Sequence, residues 1–215
     1  MGTDIPLVPS YVYVDGFNLY YGAVKGTTYK WLDINKLCLH LLPKNYPVKI
    51  KYFSALVNSR PSDPLQPNRQ QVYIRALASN PNTEVILGHF LSHVVTMPIA
   101  YPKPGGPRFI EVIKTEEKGS DVNLATHLVN DAHLQRFQAA IIISNDSDLV
   151  EAIKIVHDDL HKVVIVLNPF SENQNRELRD VATFVKPIRK RVLSVSQFPE
   201  VMADSRGSFS KPTSW

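Results

Sequence analysis

Four aspartates stand at places where a protein chain can do chemistry: Asp15 in YVYVDGFN, Asp121 in EEKGSDVN, and Asp146 with Asp148 in IIISNDSD. Asp15 and Asp146 each follow a short β-branched or aromatic run, Tyr11–Val14 and Ala140–Ile143. In an open α/β sheet the residue just past a strand's C-terminal end faces the ligand crevice. Carboxylates that converge there repel one another, and a divalent cation held by hard oxygen ligands relieves the repulsion. The chemistry this implies is Mg²⁺- or Mn²⁺-dependent hydrolysis of a phosphodiester.

Each motif also has a plainer use. Asp15 followed by Gly16 suits a cation ligand, and equally a helix N-cap with a tight turn. Asn18 adds a carbonyl ligand or orients a water or phosphate. One acid of the Asp146/Asp148 pair is explained by capping and by the positive end of the helix dipole. The second acid adds to the case for a cation. Asp121 falls in the first turn of a helix opened by Ser120, where capping alone explains it. Lys118, beside it, is a candidate to contact a scissile phosphate, with Glu116 and Glu117 flanking.

His89 and His93 are four apart, but GHFLSHVV reads as strand and lacks the helical geometry of a zinc pair. The basic run Lys186, Arg189, Lys190 and Arg191 suits a nucleic-acid backbone or a solvated surface.

The elements that must position these residues alternate between strand and helix, which predicts an α/β fold with a central, mostly parallel sheet flanked by helices. Strands are predicted at Tyr11–Val14, Val48–Ser54, Glu84–Leu91, Ala140–Ser144 and Val163–Leu167. Helices are predicted at Phe17–Val24, Ile34–Leu42 (capped by Asp33), Pro67–Ser79, Ser120–Phe137 and Leu149–Leu160. Phe109–Lys114 is expected to pair with Glu84–Leu91 as a hairpin across the Pro/Gly-rich loop Pro98–Arg108. The tail Ser205–Trp215, rich in Ser, Gly and Pro, is expected to be disordered.

With 215 residues, 44% of them hydrophobic, the chain can bury a full core as one domain with a short extension. A net charge of +4 around an acidic hole suits a polyanionic substrate, though that balance is also ordinary. The single cysteine, Cys38, excludes an intrachain disulfide and a cysteine-rich zinc site, and its apolar setting places it in the core. No apolar run approaches the roughly 20 residues that span a bilayer. The start MGTDIPLVPS lacks a signal core, and Pro6 breaks the myristoylation pattern begun by Gly2. A soluble, cytoplasmic protein is expected.

Taken in order, VDGFN, EKGSDVNLATHLV and IIISNDSDL resemble the NYN domain, a PIN-like nuclease fold related to bacterial LabA-type proteins. The resemblance covers roughly Ser10 to Leu167. It implies a PIN-like three-layer fold and a Mg²⁺- or Mn²⁺-dependent ribonuclease, with homodimers frequent in such proteins. By that resemblance Asp15 and Asn18 take the first-strand position, Asp121 the position after Lys-Gly, and Asp146 and Asp148 the last acidic pair. Asp15, Asp121 and Asp146 then bind a metal, Asp148 supports it or a second ion, and Lys118 or a backbone amide near Asn18 steadies the developing charge.

The expected organisation is an N-terminal segment 1–9, the NYN domain 10–170, an extension 171–204 and the tail 205–215. Two rival readings stand beside this one. One is a PIN-like shell that grips RNA or a protein without cutting. The other is a small-molecule phosphohydrolase with an aspartyl nucleophile, which the residue two after Asp15, Phe17, counts against.

Overall fold

The computed structural model describes residues 7–170 and 175–215. Most of the expected N-terminal segment (residues 1–6) and the first four positions of the expected extension (171–174) lie outside the described residues.

The chain forms β1 (Val8–Asp15), α1 (Gly16–Leu19), α2 (Ile34–Leu41), β2 (Asn45–Ala55), α3 (Gln66–Ala78), β3 (Thr83–Pro98) and β4 (Phe109–Lys118). It continues through α4 (Ser120–His133), β5 (Ala139–Ile143), α5 (Val150–Lys154), β6 (Val163–Asn168), α6 (Arg176–Val181), β7 (Phe184–Pro187), α7 (Lys190–Val195), β8 (Val201–Asp204) and β9 (Gly207–Ser210). Seven strands make one sheet in the order β4-β3-β2-β1-β5-β6-β7, parallel throughout except for β4. The mostly parallel α/β architecture expected from the sequence is thus the one adopted, and it has the three layers of a PIN-like fold.

The runs at β1, β5 and β6 are continuously apolar because both sheet faces are covered. Val12, Val14, Ile141, Ile143, Ile165 and Leu167 face a core built with α2 and α3. Their neighbours Tyr13, Ile142, Val164 and Val166 face the opposite core, filled by Leu124 and Leu128 of α4 and Ile153 of α5. Cys38, 1% exposed, lies in the first of these cores. From β1 the chain builds outward to β4 on one side, then returns to place β5 against β1 and builds outward again. The reversal makes the β1/β5 boundary the switch point, where such sheets bind ligands.

The expected hairpin forms and is longer than predicted. β3 pairs in parallel with β2 as far as Gly88, then leaves it and pairs with β4 from His89↔Lys118 to Pro98↔Phe109. A methyl group on Gly88 would collide with the Lys118 carbonyl and the Glu117 carboxylate, so only glycine fits where β3 changes partner. Gly88→Ala is expected to lower stability by about 1–3 kcal/mol, the cost of overpacking, read as a lowered Tm.

The helices depart from prediction at their ends. Phe17–Val24 is one turn of α-helix followed by a π-helical turn at Tyr20–Val24. Leu149–Leu160 becomes a 3₁₀ turn, α5 and a π-helical turn at Ile155–Asp159. α4 stops at His133, with Gln135 in the left-handed region at φ 57° turning the chain toward buried Phe137.

The expected disorder of the tail is a correction. β8 and β9 form an antiparallel hairpin, and Arg75 of α3 grips Asp204 through two bonds, Nε at 2.8 Å and Nη2 at 2.6 Å. The Arg75 guanidinium also lies 4.2 Å from the Phe209 ring centre. Trp215 packs on Tyr73 and Trp31 at 5.8 and 6.5 Å between ring centres. Two aromatic anchors order a segment whose average composition signals disorder. No helix among the described residues is long and apolar enough to cross a membrane.

Candidate metal centre

Asp15 ends β1 and is 5% exposed. One of its oxygens accepts the Asn18 backbone N–H at 2.9 Å and the other accepts the Ser144 hydroxyl at 3.0 Å. The same Ser144 oxygen accepts the Asp146 N–H at 3.1 Å, and the Asn18 side-chain oxygen accepts the Asn145 N–H at 2.9 Å. These bonds stitch the end of β1 to the turn after β5 and hold Asp146 toward Asp15. A Cβ on Gly16 would lie 2.6 Å from the Tyr52 hydroxyl, so the turn out of β1 can pass β2 only as glycine.

Asp121 arrives from a third direction, in the first turn of α4. Gly119 precedes that helix at φ 98°, a left-handed conformation that favours glycine. Glu117 caps the helix, its carboxylate accepting the Ser120 N–H at 3.1 Å and hydroxyl at 2.7 Å.

One carboxylate oxygen each from Asp15, Asp121 and Asp146 lie within 4.8 Å of one another. The electrostatics record the crowding. Burial pushes the Asp15 carboxyl up to about 6; the Asn18 and Ser144 hydrogen bonds pull it down, while the charges of Asp121 and Asp146 add to the rise. Asp121 is raised by burial and then by the charges of Asp146, Glu117 and Asp148. Three hard oxygen donors that destabilise one another when ionised fit a divalent cation such as Mg²⁺ or Mn²⁺.

Other predicted residues are placed differently. Asp148 is exposed and outside the triad; its N–H bonds to Asp146 Oδ1 at 3.0 Å. The Asn18 side-chain oxygen is engaged by Asn145, so its role here is to position the turn that carries Asp146. Lys118 departs from expectation. Its neighbour Glu117 lines the site, and strand alternation turns Lys118 to the opposite face of the hairpin, where Nζ is 3.1 Å from Glu116. The hydrogen bonds from Lys114 and Lys118 hold the Glu116 carboxyl down at about 2.

His89 and His93 sit opposite Lys118 and Lys114 on the same face as those lysines. Lys186 reaches the Leu41 carbonyl, and Arg189, Lys190 and Arg191 are exposed at the start of α7, none of them lining the cavity described next.

Beside the triad opens a cavity of about 430 Å³, walled by Phe17, Tyr20, Tyr52, Tyr73, Phe90 and Trp215 together with the three aspartates. Lys30, Arg60 and Arg69 also line it. Arg69 is paired with Asp63, whereas no ion pair holds Lys30 or Arg60 among the described residues. Sequence reasoning missed this cavity. The signal available was the segment SRPSDPLQPNRQ, which follows β2 and so opens onto the same end of the sheet as Asp15.

Comparison with known proteins agrees with this architecture. A protein of Pseudomonas putida named 6-hydroxy-3-succinoylpyridine 3-monooxygenase HspA is 30% identical over 235 aligned positions, covering 95% of this chain and 74% of that protein. A crystal structure of a protein of unknown function from Vibrio parahaemolyticus superposes with a TM-score of 0.54 at 19% identity, covering 88% of this chain and 98% of that one, which is a likeness of fold. The NYN domain model matches residues 9–189, reaching past the 10–170 expected from the sequence to take in β7 and the residue before α7. The chain belongs to the NYN domain family.

Proposed function

We propose that this protein is a Mg²⁺- or Mn²⁺-dependent ribonuclease that cuts phosphodiester bonds of RNA internally. The observation that carries the reading is the triad. Three elements far apart in sequence each bring one carboxylate oxygen to within 4.8 Å of the others, at the switch point of the sheet. Asp15, Asp121 and Asp146 would hold the ion. What a divalent ion supplies in such a site is neutralisation of phosphate charge and a lowered pKa for the attacking water.

The chain's own contribution is positioning. Ser144 and Asn18 fix Asp15 and the Asp146 turn before substrate arrives. With Lys118 turned away, Lys30 and Arg60 are the cations available to a substrate phosphate, and the exposed run Arg189, Lys190 and Arg191 offers weaker, salt-sensitive attraction for the rest of the strand. Membership of a family of nuclease-like folds supports the same reading.

The test is incubation of the purified protein with end-labelled single-stranded RNA in Mn²⁺, Mg²⁺ or chelator. Cutting with either ion and none with chelator is expected. An absence of cutting, joined to calorimetry that detects no ion binding, would overturn the proposal in favour of a shell that binds without cleaving.

A second reading rests on the cavity. The P. putida relative is named for a hydroxylated pyridine carrying an acid side chain. An aromatic cavity with Lys30 and Arg60 on its wall would also seat a small anionic ring of that kind.

A further inference from the structure

A nuclease that recognises only phosphate needs an open groove, yet the acidic triad here forms part of the wall of an aromatic cavity. Base stacking on aromatic side chains is how proteins hold unpaired nucleotides without reading their sequence. The rings on this wall are arranged edge to face. Phe17 meets Phe90 at 74° with centres 5.9 Å apart, Tyr20 meets Tyr21 at 82°, and Tyr52 meets Tyr73 at 83°. In an edge-to-face pair one ring covers a face of the other, and the ring that offers its edge keeps its own faces for a third ring. The floor is rigid, since Tyr52 and Tyr73 are 7% and 8% exposed and Tyr73 donates its hydroxyl hydrogen to the Leu32 carbonyl at 2.9 Å.

The volume, about 430 Å³, lies in the range of ligand cavities and admits a planar ring with its sugar. Its polar wall matters as much. Lys30 and Arg60, with Arg69 beside them, bring positive charge to a wall that also carries the three aspartates and Glu117.

We propose that this cavity seats one unpaired nucleobase of the substrate, stacked among Phe17, Tyr20 and Phe90, with the neighbouring phosphate on the acidic triad and a further phosphate met by Lys30 or Arg60. The proposal rests on the ribonuclease reading and adds to it a base-holding subsite, which a base inside a duplex reaches only by leaving the stack. The aromatic wall is sequence-tolerant, as every base offers a π-face. Phe17 and Tyr20 are therefore positioning residues for substrate rather than catalytic ones.

The experiment measures binding of ligands that hold no phosphodiester, so that it is independent of cleavage, and keeps Mg²⁺ present because three bare carboxylates would repel a phosphate. Uridine and adenosine monophosphates, uridine 3′,5′-bisphosphate, uridine alone and ribose 5-phosphate are titrated against the full chain, reading the fluorescence of Trp215 and Trp31. Both monophosphates are expected to bind, and ribose 5-phosphate about tenfold or more weakly, the loss of one stacked base. Phe17→Ala and Tyr20→Ala should each weaken the monophosphates by about tenfold. Both side chains are partly exposed, and unchanged Tm confirms that the variants fold. Arg60→Ala, at an exposed position, should weaken uridine 3′,5′-bisphosphate, which carries the further phosphate, while leaving uridine itself unaffected.

Equal binding of ribose 5-phosphate and the nucleotides, no nucleotide binding, or no effect of either aromatic variant overturns the proposal. A pyridine carboxylate that binds more tightly than every nucleotide also overturns it and gives the cavity to the second reading. Metal-dependent cutting of RNA that persists when nucleotide binding is absent would leave the ribonuclease standing without this subsite.

Discussion

Asp146→Asn is expected to give a folded protein whose metal-dependent cleavage of RNA falls by about a thousandfold, the loss of several kcal/mol of charge stabilisation. Asparagine keeps the size of the side chain and an oxygen able to accept the Asp148 N–H, so the turn after β5 survives. What disappears is one of three negative charges whose oxygens crowd within 4.8 Å. Removing it relieves repulsion on Asp15 and Asp121, so Tm should hold or rise while turnover collapses. That opposite movement separates a functional acid from a structural cap, whose loss would lower Tm. Asp148→Asn, outside the triad, should cost far less. Wild-type cleavage by purified Asp146→Asn would sink the assignment.

The largest stability effect is expected far from that site. Asp131 of α4 is fully buried, with one oxygen accepting Lys51 Nζ at 2.5 Å and the Tyr13 hydroxyl at 2.8 Å, and the other accepting Arg136 Nη1 at 2.8 Å. Lys51 Nζ also lies 3.0 Å from His127 Nδ1. Asp131→Ala strands a buried ammonium, with a side chain 6% exposed, at a cost of about 3–5 kcal/mol. For a chain of this length that is a fall in Tm of roughly 6–20 °C.

Burial opposes ionisation of Asp131, yet the bonds from Lys51, Tyr13 and Arg136 hold its carboxyl below the usual value. Its contribution is therefore complete above the ordinary carboxylate pKa and fades as pH falls through the folded-state value. Lys51→Met with Asp131→Leu should recover much of the lost stability, since a buried pair replaced as a unit by apolar side chains is often neutral. A double variant no more stable than Asp131→Ala would show that Tyr13 and Arg136, not the missing charge, dominate the loss.

The site's carboxylates were legible because each depends on a local signal, an acid at the end of an apolar run or after a Lys-Gly pair. The resulting α/β order was legible for the same reason, since unbroken runs such as AAIII mark strands buried on both faces. Lys118 was not, because its direction is set by the His89↔Lys118 register of a hairpin whose length local pattern did not reveal. The cavity was hidden because its walls come from β1's end, α3, β3 and the tail, residues close only after folding. Strand β7, FVKP, is four residues long, too short to announce itself. The tail was misread because Phe209 and Trp215 act singly, and single anchors vanish in an average over Ser, Gly and Pro.

Cys38 carries a consequence for how the molecule can be watched. Burial, with a smaller push from Asp33, raises its thiol to about 12, so at neutral pH the folded chain offers neither access nor thiolate to an alkylating reagent. As the chain's single sulfhydryl, packed on the α2 face of the larger core, it reacts only when that core opens. Its alkylation rate is a built-in clock for core opening, readable by mass alone, and a ligand seated in the cavity, whose wall shares Tyr52 and Tyr73 with that core, should slow it.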